Sequence, residues 1–325
     1  MKILVKAIVT GGAGFVGSCL SEKLAKDGSE VLILDNLQRG KMSHISHLEK
    51  LCTFKRVDLL DHVKALDVIK DADVCFHLAS HLGGINYMYQ RQAAIADNFA
   101  INYNVFDACL KNDVPKIVFL SSACAYPTWI QTKENHPLMK EEMAFDPGAL
   151  PESMYGWAKL MGELQLQHMV KEEGIKAAVL RPFNIYGPKE TFDVEKGHVI
   201  PAFMVKALRK DDPFKIWGSG QQDRSFVYVT DTVKAILLAM ELSDDATPIN
   251  VGDPERITMT DLAKKVTDLA GYTPRFELET GKPEGVFSRG PDITRAREIL
   301  GWSPTTSLDQ GLAETWEWAK THVKA

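Results

Sequence analysis

A chain of 325 residues is long enough for two domains or for one large α/β unit. Its composition is that of an ordinary soluble protein, 45% hydrophobic and 25% charged, with a formal net charge of -5. That mild acidity argues against a surface for nucleic acid or anionic lipid, and no apolar run approaches the ~20 residues of a membrane span; neither partner is expected, and the cytoplasm is the expected compartment.

The opening "MKILVKAIVTGGAGF" reads as a strand over residues 3–9 running into a glycine turn rather than as a leader, because Lys6 interrupts its apolar run. "VTGGAGFVG" then sets Gly11, Gly14 and Gly17 three apart, with Phe15 and Val16 opening a helix over 14–26. Glycine permits a tight turn, close backbone approach to a pyrophosphate, and close packing of helix on strand. The helix N-terminus adds free N–H groups and a partial positive charge. A second strand at 31–34 ends in "LILDN". There Asp35, followed by Asn36, is placed to accept hydrogen bonds from an adenosine ribose, and its charge repels a 2′-phosphate, so NAD is expected over NADP. Arg39 is a nearby cation that argues the other way.

A third strand at 53–57 leads into "VDLLD", where Asp58 and Leu59 can meet an adenine edge. A fourth at 74–78 ends in "FHLAS", with Leu78, Ala79 and Ser80 beside the expected cofactor path. A long helical pattern covers 93–112, and a fifth strand at 117–120 runs into "SSACAYP", which carries Ser121, Ser122 and Cys124. The helix expected at 153–173 contains "YGWAK", placing Tyr155 and Lys159 one turn apart on one face. Tyrosine ordinarily titrates near ~10; a neighbouring ammonium and the positive nicotinamide of an oxidised cofactor favour its phenolate. Ser122 offers a hydroxyl to the same substrate oxygen. The three together allow hydride removal from a carbinol carbon while Tyr155 takes the hydroxyl proton.

A sixth strand at 177–180 completes a βαβ rhythm, so the expected fold is α/β, a doubly wound parallel (Rossmann) sheet. The NAD-binding domain is expected over 1–180 and a smaller α/β substrate domain over 181–325, with some chain crossing. In the second part the pattern gives helices at 199–209, 231–242, 260–270 and 308–321, and a strand in "PINVGD". Cys19, Cys52, Cys75, Cys109 and Cys124 are scattered with no C-x-x-C pair, so neither a disulfide framework nor a metal site is expected.

With "TGGAGFVG", "LDN", "VDLLD", "HLAS", "SSACAYP", "YGWAK", "RPFNIYGP" and "GSGQQDRSFVYVTD" in this order over nearly the whole chain, the sequence resembles the NAD-dependent nucleotide-sugar epimerases and dehydratases. These are extended members of the short-chain dehydrogenase/reductase family. The resemblance implies an NAD that stays bound, a nucleotide-diphosphate sugar as substrate, and a homodimer built on helices 93–112 and 153–173. It places Asn98 near the nicotinamide, Asn184 and Arg224 on the sugar diphosphate, and Arg289 near the same phosphates.

Three branches of that family compete. The 4,6-dehydratases carry an Asp-Glu pair where this chain has Ala123 and Cys124, which counts against them. A 4-epimerase needs only Ser122, Tyr155 and Lys159. The chain also resembles the GDP-mannose 3,5-epimerases in "SSACAYP", in "HLGGINYMYQ", whose Gly83 and Gly84 match a substrate loop, and in "KPEGVFSRGPD". In that branch a cysteine shuttles protons at carbons made acidic by a C-4 ketone, a task suited to a group titrating near ~8.5. Its lysine partner falls here on Asp193, with Lys196 and His198 close by. Cys124 is therefore read either as that proton shuttle or as a small residue filling a slot.

Overall fold

The computed structural model describes residues 4–146, 148 and 150–324. Its centre is a seven-stranded sheet in which every pairing is parallel: β1 (Lys6–Thr10), β2 (Glu30–Asp35), β3 (Cys52–Arg56), β4 (Val74–His77), β5 (Lys116–Leu120), β6 (Lys176–Pro182) and the strand Asp245–Val251. The spatial order is Asp245–Val251, β6, β5, β4, β1, β2, β3. The first expected strand begins at residue 3, which lies outside the described residues.

Alternation along each strand divides the core into two layers. Val9, Ile33, Phe76, Val118 and Leu180 face α1 (Phe15–Lys26) and the helix Val229–Leu242. Ile8, Leu34, Cys75, Ile117 and Phe119 face the helices Asp97–Lys111 and Met154–Glu173 on the opposite side. Phe119 is fully buried there, and truncating such a side chain to alanine costs about 3–5 kcal/mol. A smaller core joins the helices Val199–Arg209, Met259–Leu269 and Leu308–His322 around Phe203, Phe214, Leu262 and Trp316.

The pattern expected as one helix over 93–112 is divided into Gln92–Ile95 and Asp97–Lys111. Asn98 explains the break, since its Nδ2 donates to the Ile95 carbonyl at 2.7 Å and so withdraws that acceptor from the helical ladder. β1 lies between β4 and β2, so the order reverses there, and the cleft opens outside the carboxyl ends of these strands, as expected for a ligand site at a topological switch point.

Candidate active site

The cofactor side of the cleft is built by β1, β2 and α1. Gly11 has φ +68°, and a Cβ there would lie 2.8 Å from the backbone of Ala79; at Gly17 it would lie 2.2 Å from the Gly11 carbonyl. Gly14 caps α1 with no side-chain hydrogen bond, leaving the amides of the first turn without an intrahelical acceptor. The buried Asp35 accepts from Ala13 N at 3.0 Å and Leu37 N at 2.8 Å, while burial pushes its carboxyl up. Gly11, Gly14, Phe15, Val16, Gly17, Asp35, Asn36, Asp58, Leu59, Leu78, Ala79 and Ser80 all line one cleft of about 540 Å³. Donors at a helix N-terminus, with a carboxylate at the next strand end, fit the diphosphate and ribose of a dinucleotide.

The same cleft receives Ser121, Ser122, Cys124, Tyr155 and Lys159. Ser153 caps the helix Met154–Glu173 by accepting from Gly156 N, which puts Tyr155 in the first turn and Lys159 one turn deeper. Lys159 is 2% exposed; its Nζ donates to the Leu120 carbonyl at 2.8 Å and lies 5.5 Å from the Tyr155 ring centre. Burial lowers this ammonium from 10.5 to about 7, with Glu163 pulling the other way. Burial pushes the Tyr155 phenol well up, and Cys124 adds to that; hydrogen bonds with Ser80 and Ser122 and the charge of Arg39 act in the opposite sense. Ser122 Oγ accepts from Cys124 N at 3.0 Å and so shapes the turn that carries the thiol. Ser121 turns inward to Glu163, which pairs with the buried Arg181 at 2.6 Å. Behind the helix Met154–Glu173, His77 bonds Thr10 and Asn102, and Asn102 donates to the Ala158 carbonyl, tying that helix to the sheet.

On the substrate side, Arg289 Nη1 stands 3.5 Å from Cys124 Sγ, Nη2 is 2.8 Å from Glu152, and Nε donates to Gln131 at 2.6 Å. Tyr89 donates to the other Glu152 oxygen at 2.5 Å. Arg224 is caged by the carbonyls of Asp223, Glu284, Val286 and Phe287. Burial and the neighbouring Arg289 push it down to about 10. Among the described residues no carboxylate lies within ion-pair distance of it.

Residues 7–252 match the NAD dependent epimerase/dehydratase family. The chain belongs to that family. NAD is accordingly its cofactor, and the sheet, glycine turn and strand-end carboxylate above are the parts that fit it. The rice (Oryza sativa subsp. indica) GDP-mannose 3,5-epimerase 1 is 33% identical over 318 residues, 97% of this chain and 82% of the relative. The UDP-glucuronic acid decarboxylase 1 of Xenopus tropicalis is 29% identical over 310 residues, 95% of this chain and 71% of the relative. Among solved structures, the UDP-glucose 4-epimerase of Thermotoga maritima, held with UDP-glucose, superposes with a TM-score of 0.87 at 30% identity, covering 98% of this chain and 100% of that one.

Several residues of this family member sit differently from the sequence expectation. Asn98 does not line the cleft; its amide holds Ser80 Oγ and His81 N on one side and the His81 and Ile95 carbonyls on the other. It positions the loop after β4. Gly84 also lies behind the lining, where a Cβ would come within 2.9 Å of the Lys196 carbonyl. Gly83 and Asn184 do line the cleft, Asn184 with φ +24° and its Nδ2 on the Ser225 carbonyl. Of the three partners considered for Cys124, Asp193 folds back to accept from Glu195 N and Lys196 N, and neither Asp193 nor Lys196 lines the cleft. His198 does, paired with Glu190 at 2.5 Å. Arg289 lines the cleft with its guanidinium beside the Cys124 thiol and bonded to Glu152 and Gln131. Glu152, Gln131 and Tyr89 were not singled out from the sequence; Tyr89 lies in "HLGGINYMYQ" and Glu152 just ahead of Tyr155 in "PESMYG", whereas Gln131 had no such clue.

Proposed function

We propose that the protein is a nucleotide-sugar epimerase acting through a transient 4-keto sugar, with Cys124 inverting C-3 or C-5 as in the GDP-mannose 3,5-epimerases. The observation that carries the reading is the placement of Cys124 in the same cleft as Tyr155 and Lys159, its amide bonded to the Ser122 hydroxyl that also bonds Tyr155. NAD, which the glycine turn and Asp35 would hold, would supply the hydride acceptor and donor and a positive ring favouring the Tyr155 phenolate. Tyr155 takes the C-4 hydroxyl proton, Ser122 orients that oxygen, and Lys159 holds the tyrosine end of the cleft. The C-4 ketone makes the adjoining C–H acidic, so the Cys124 sulfur as thiolate removes that proton to leave an enolate, a proton from solvent reaches the opposite face of the carbon and inverts it, and the thiol returns its own proton to solvent. The caged guanidinium of Arg224, lacking an acidic partner, is the anchor for the sugar diphosphate.

A second reading, epimerisation at C-4 alone, is favoured by one observation: neither Asp193 nor Lys196 lines the cleft beside Cys124. Incubation with GDP- and UDP-hexoses in deuterated water, read by NMR, separates the two. Deuterium at C-3 or C-5, abolished by Cys124→Ser, supports the first; inversion at C-4 without solvent deuterium establishes the second. Loss of all turnover in Tyr155→Phe is expected in both. The assembly proposed is a homodimer on the adjoining helices Asp97–Lys111 and Met154–Glu173, a reading supported by the exposed Tyr103 and Met161 on them and testable by sedimentation.

A further inference from the structure

We propose that Arg39 is a cofactor-retention residue: it ties the loop after β2 to two loops across the cleft and so keeps NAD from leaving. Its own loop is rigidly mounted. Lys41 N donates to the Ala13 carbonyl at 3.0 Å, and Leu37 N donates to Asp35. Gly40 lies against the Asp35 carboxylate, where a Cβ would come within 2.7 Å of both oxygens. From this mount the Arg39 guanidinium bonds the loop after β4 and the loop after β6, and none of its hydrogen bonds goes to Asp35. Nη1 donates to the Leu82 carbonyl at 2.8 Å and Nη2 to Thr191 Oγ1 at 3.4 Å.

The two loops it reaches belong to different parts of the chain, and Leu82 and Thr191 line the same cleft as Gly14 and Tyr155. A second fastening lies just outside. Lys189, with φ +71°, donates to Glu22 of α1 at 3.0 Å and to the His44 carbonyl at 3.4 Å. Further along, the Lys196 carbonyl packs on Gly84. Residues 189–196 are thus held against the cofactor half at both ends, and Arg39 is the inner tie. Among the described residues no carboxylate lies within ion-pair distance of Arg39 and its hydrogen-bond acceptors are neutral; Glu190 favours its charge only from beyond that distance, so the guanidinium carries no direct counter-ion in a cleft that takes a diphosphate. The same geometry sets Arg39 apart from a reader of a 2′-phosphate, which would have to face the ribose beside Asp35. The inference rests on the cofactor being NAD and is independent of which sugar carbon is inverted.

The test is the rate at which labelled NAD leaves the purified holoprotein into excess unlabelled NAD. Arg39→Met keeps side-chain length and removes every donor, and NAD release should become about 10-fold faster or more, the loss expected for charge-assisted bonds. Thr191→Val, which removes only the longer bond, should move the rate in the same direction by less. An Arg39→Met protein that folds and releases NAD at the wild-type rate overturns the proposal. So does a variant that changes NADP affinity alone, since that is the behaviour of a 2′-phosphate reader. If Arg39→Met does not fold, Arg39→Lys and Thr191→Val carry the test, and unchanged release in both overturns it.

Discussion

Replacing Lys159 by methionine should stabilise the cofactor-free protein while destroying its activity. The ammonium is 2% exposed, and burial brings it from 10.5 to about 7. Below pH 7 the folded chain therefore carries a buried cation whose cost, from that drop, is about 5 kcal/mol. Because the folded value lies under the unfolded one, the folded state binds fewer protons between about pH 7 and 10.5, and wild-type stability rises with pH through that window. Methionine is unbranched and fills the same channel, but it abandons the Leu120 carbonyl, a loss of about 1–3 kcal/mol. The net gain at pH 6.5 should be about 2–4 kcal/mol, shrinking towards pH 9.5. Urea unfolding followed by tryptophan fluorescence at the two pH values measures it. In the holoenzyme the same change should slow hydride transfer by about 10³-fold. A Lys159→Met protein no more stable than wild type at pH 6.5, or with the wild-type pH dependence, would refute the argument that burial holds this lysine in a costly charged state.

Two more expectations follow from other parts of the site. An alanine at Gly156 would place its Cβ 2.1 Å from the Cys124 carbonyl, so Gly156→Ala should cut kcat by about 10²-fold while the NAD content of the purified protein stays normal. His77 and His44 are lowered by burial to about 3 and about 4, so the unfolded chain binds more protons than the folded one below about pH 6.5, and stability falls on acidification. Between pH 7 and pH 5 the pair costs up to about 4 kcal/mol; His44→Gln should remove about half of that dependence in urea titrations, and an unchanged slope would count against it.

The parts of the site that were legible in the sequence are those fixed by local backbone demands. Gly11 is forced by its φ of +68° and Gly17 by a 2.2 Å approach to the Gly11 carbonyl, both within one strand–turn–helix unit, and Tyr155 and Lys159 are set by one turn of one helix. The parts that escaped depend on where distant segments return. Ser288–Arg289 pairs in parallel with Asp223–Arg224, and that pairing sets two guanidinium groups side by side and delivers Arg289 to Cys124. No periodicity in "KPEGVFSRGPD" announces it. "PINVGD" reads as a strand from its own residues, but nothing in it announces that the strand, Asp245–Val251, pairs with β6 at the edge of the central sheet and shares a core with the helix before it. Asn98, expected near the nicotinamide, stays off the cleft lining, and four hydrogen bonds within the protein consume its amide.

The contact between Gly156 and the Cys124 carbonyl has a consequence for how chemistry can change on this frame. The main chain of the 123–125 turn is wedged against the helix Met154–Glu173 and capped by Ser122, whereas Cys124 lines the cleft. Position 124 is therefore a socket: the frame fixes where a side chain will be presented and leaves its functional group free. On the proposed reading, a carboxylate, a hydroxyl or a thiol seated there would meet the same keto-sugar with Tyr155 and Lys159 untouched, so one substitution would redirect the reaction without rebuilding the enzyme.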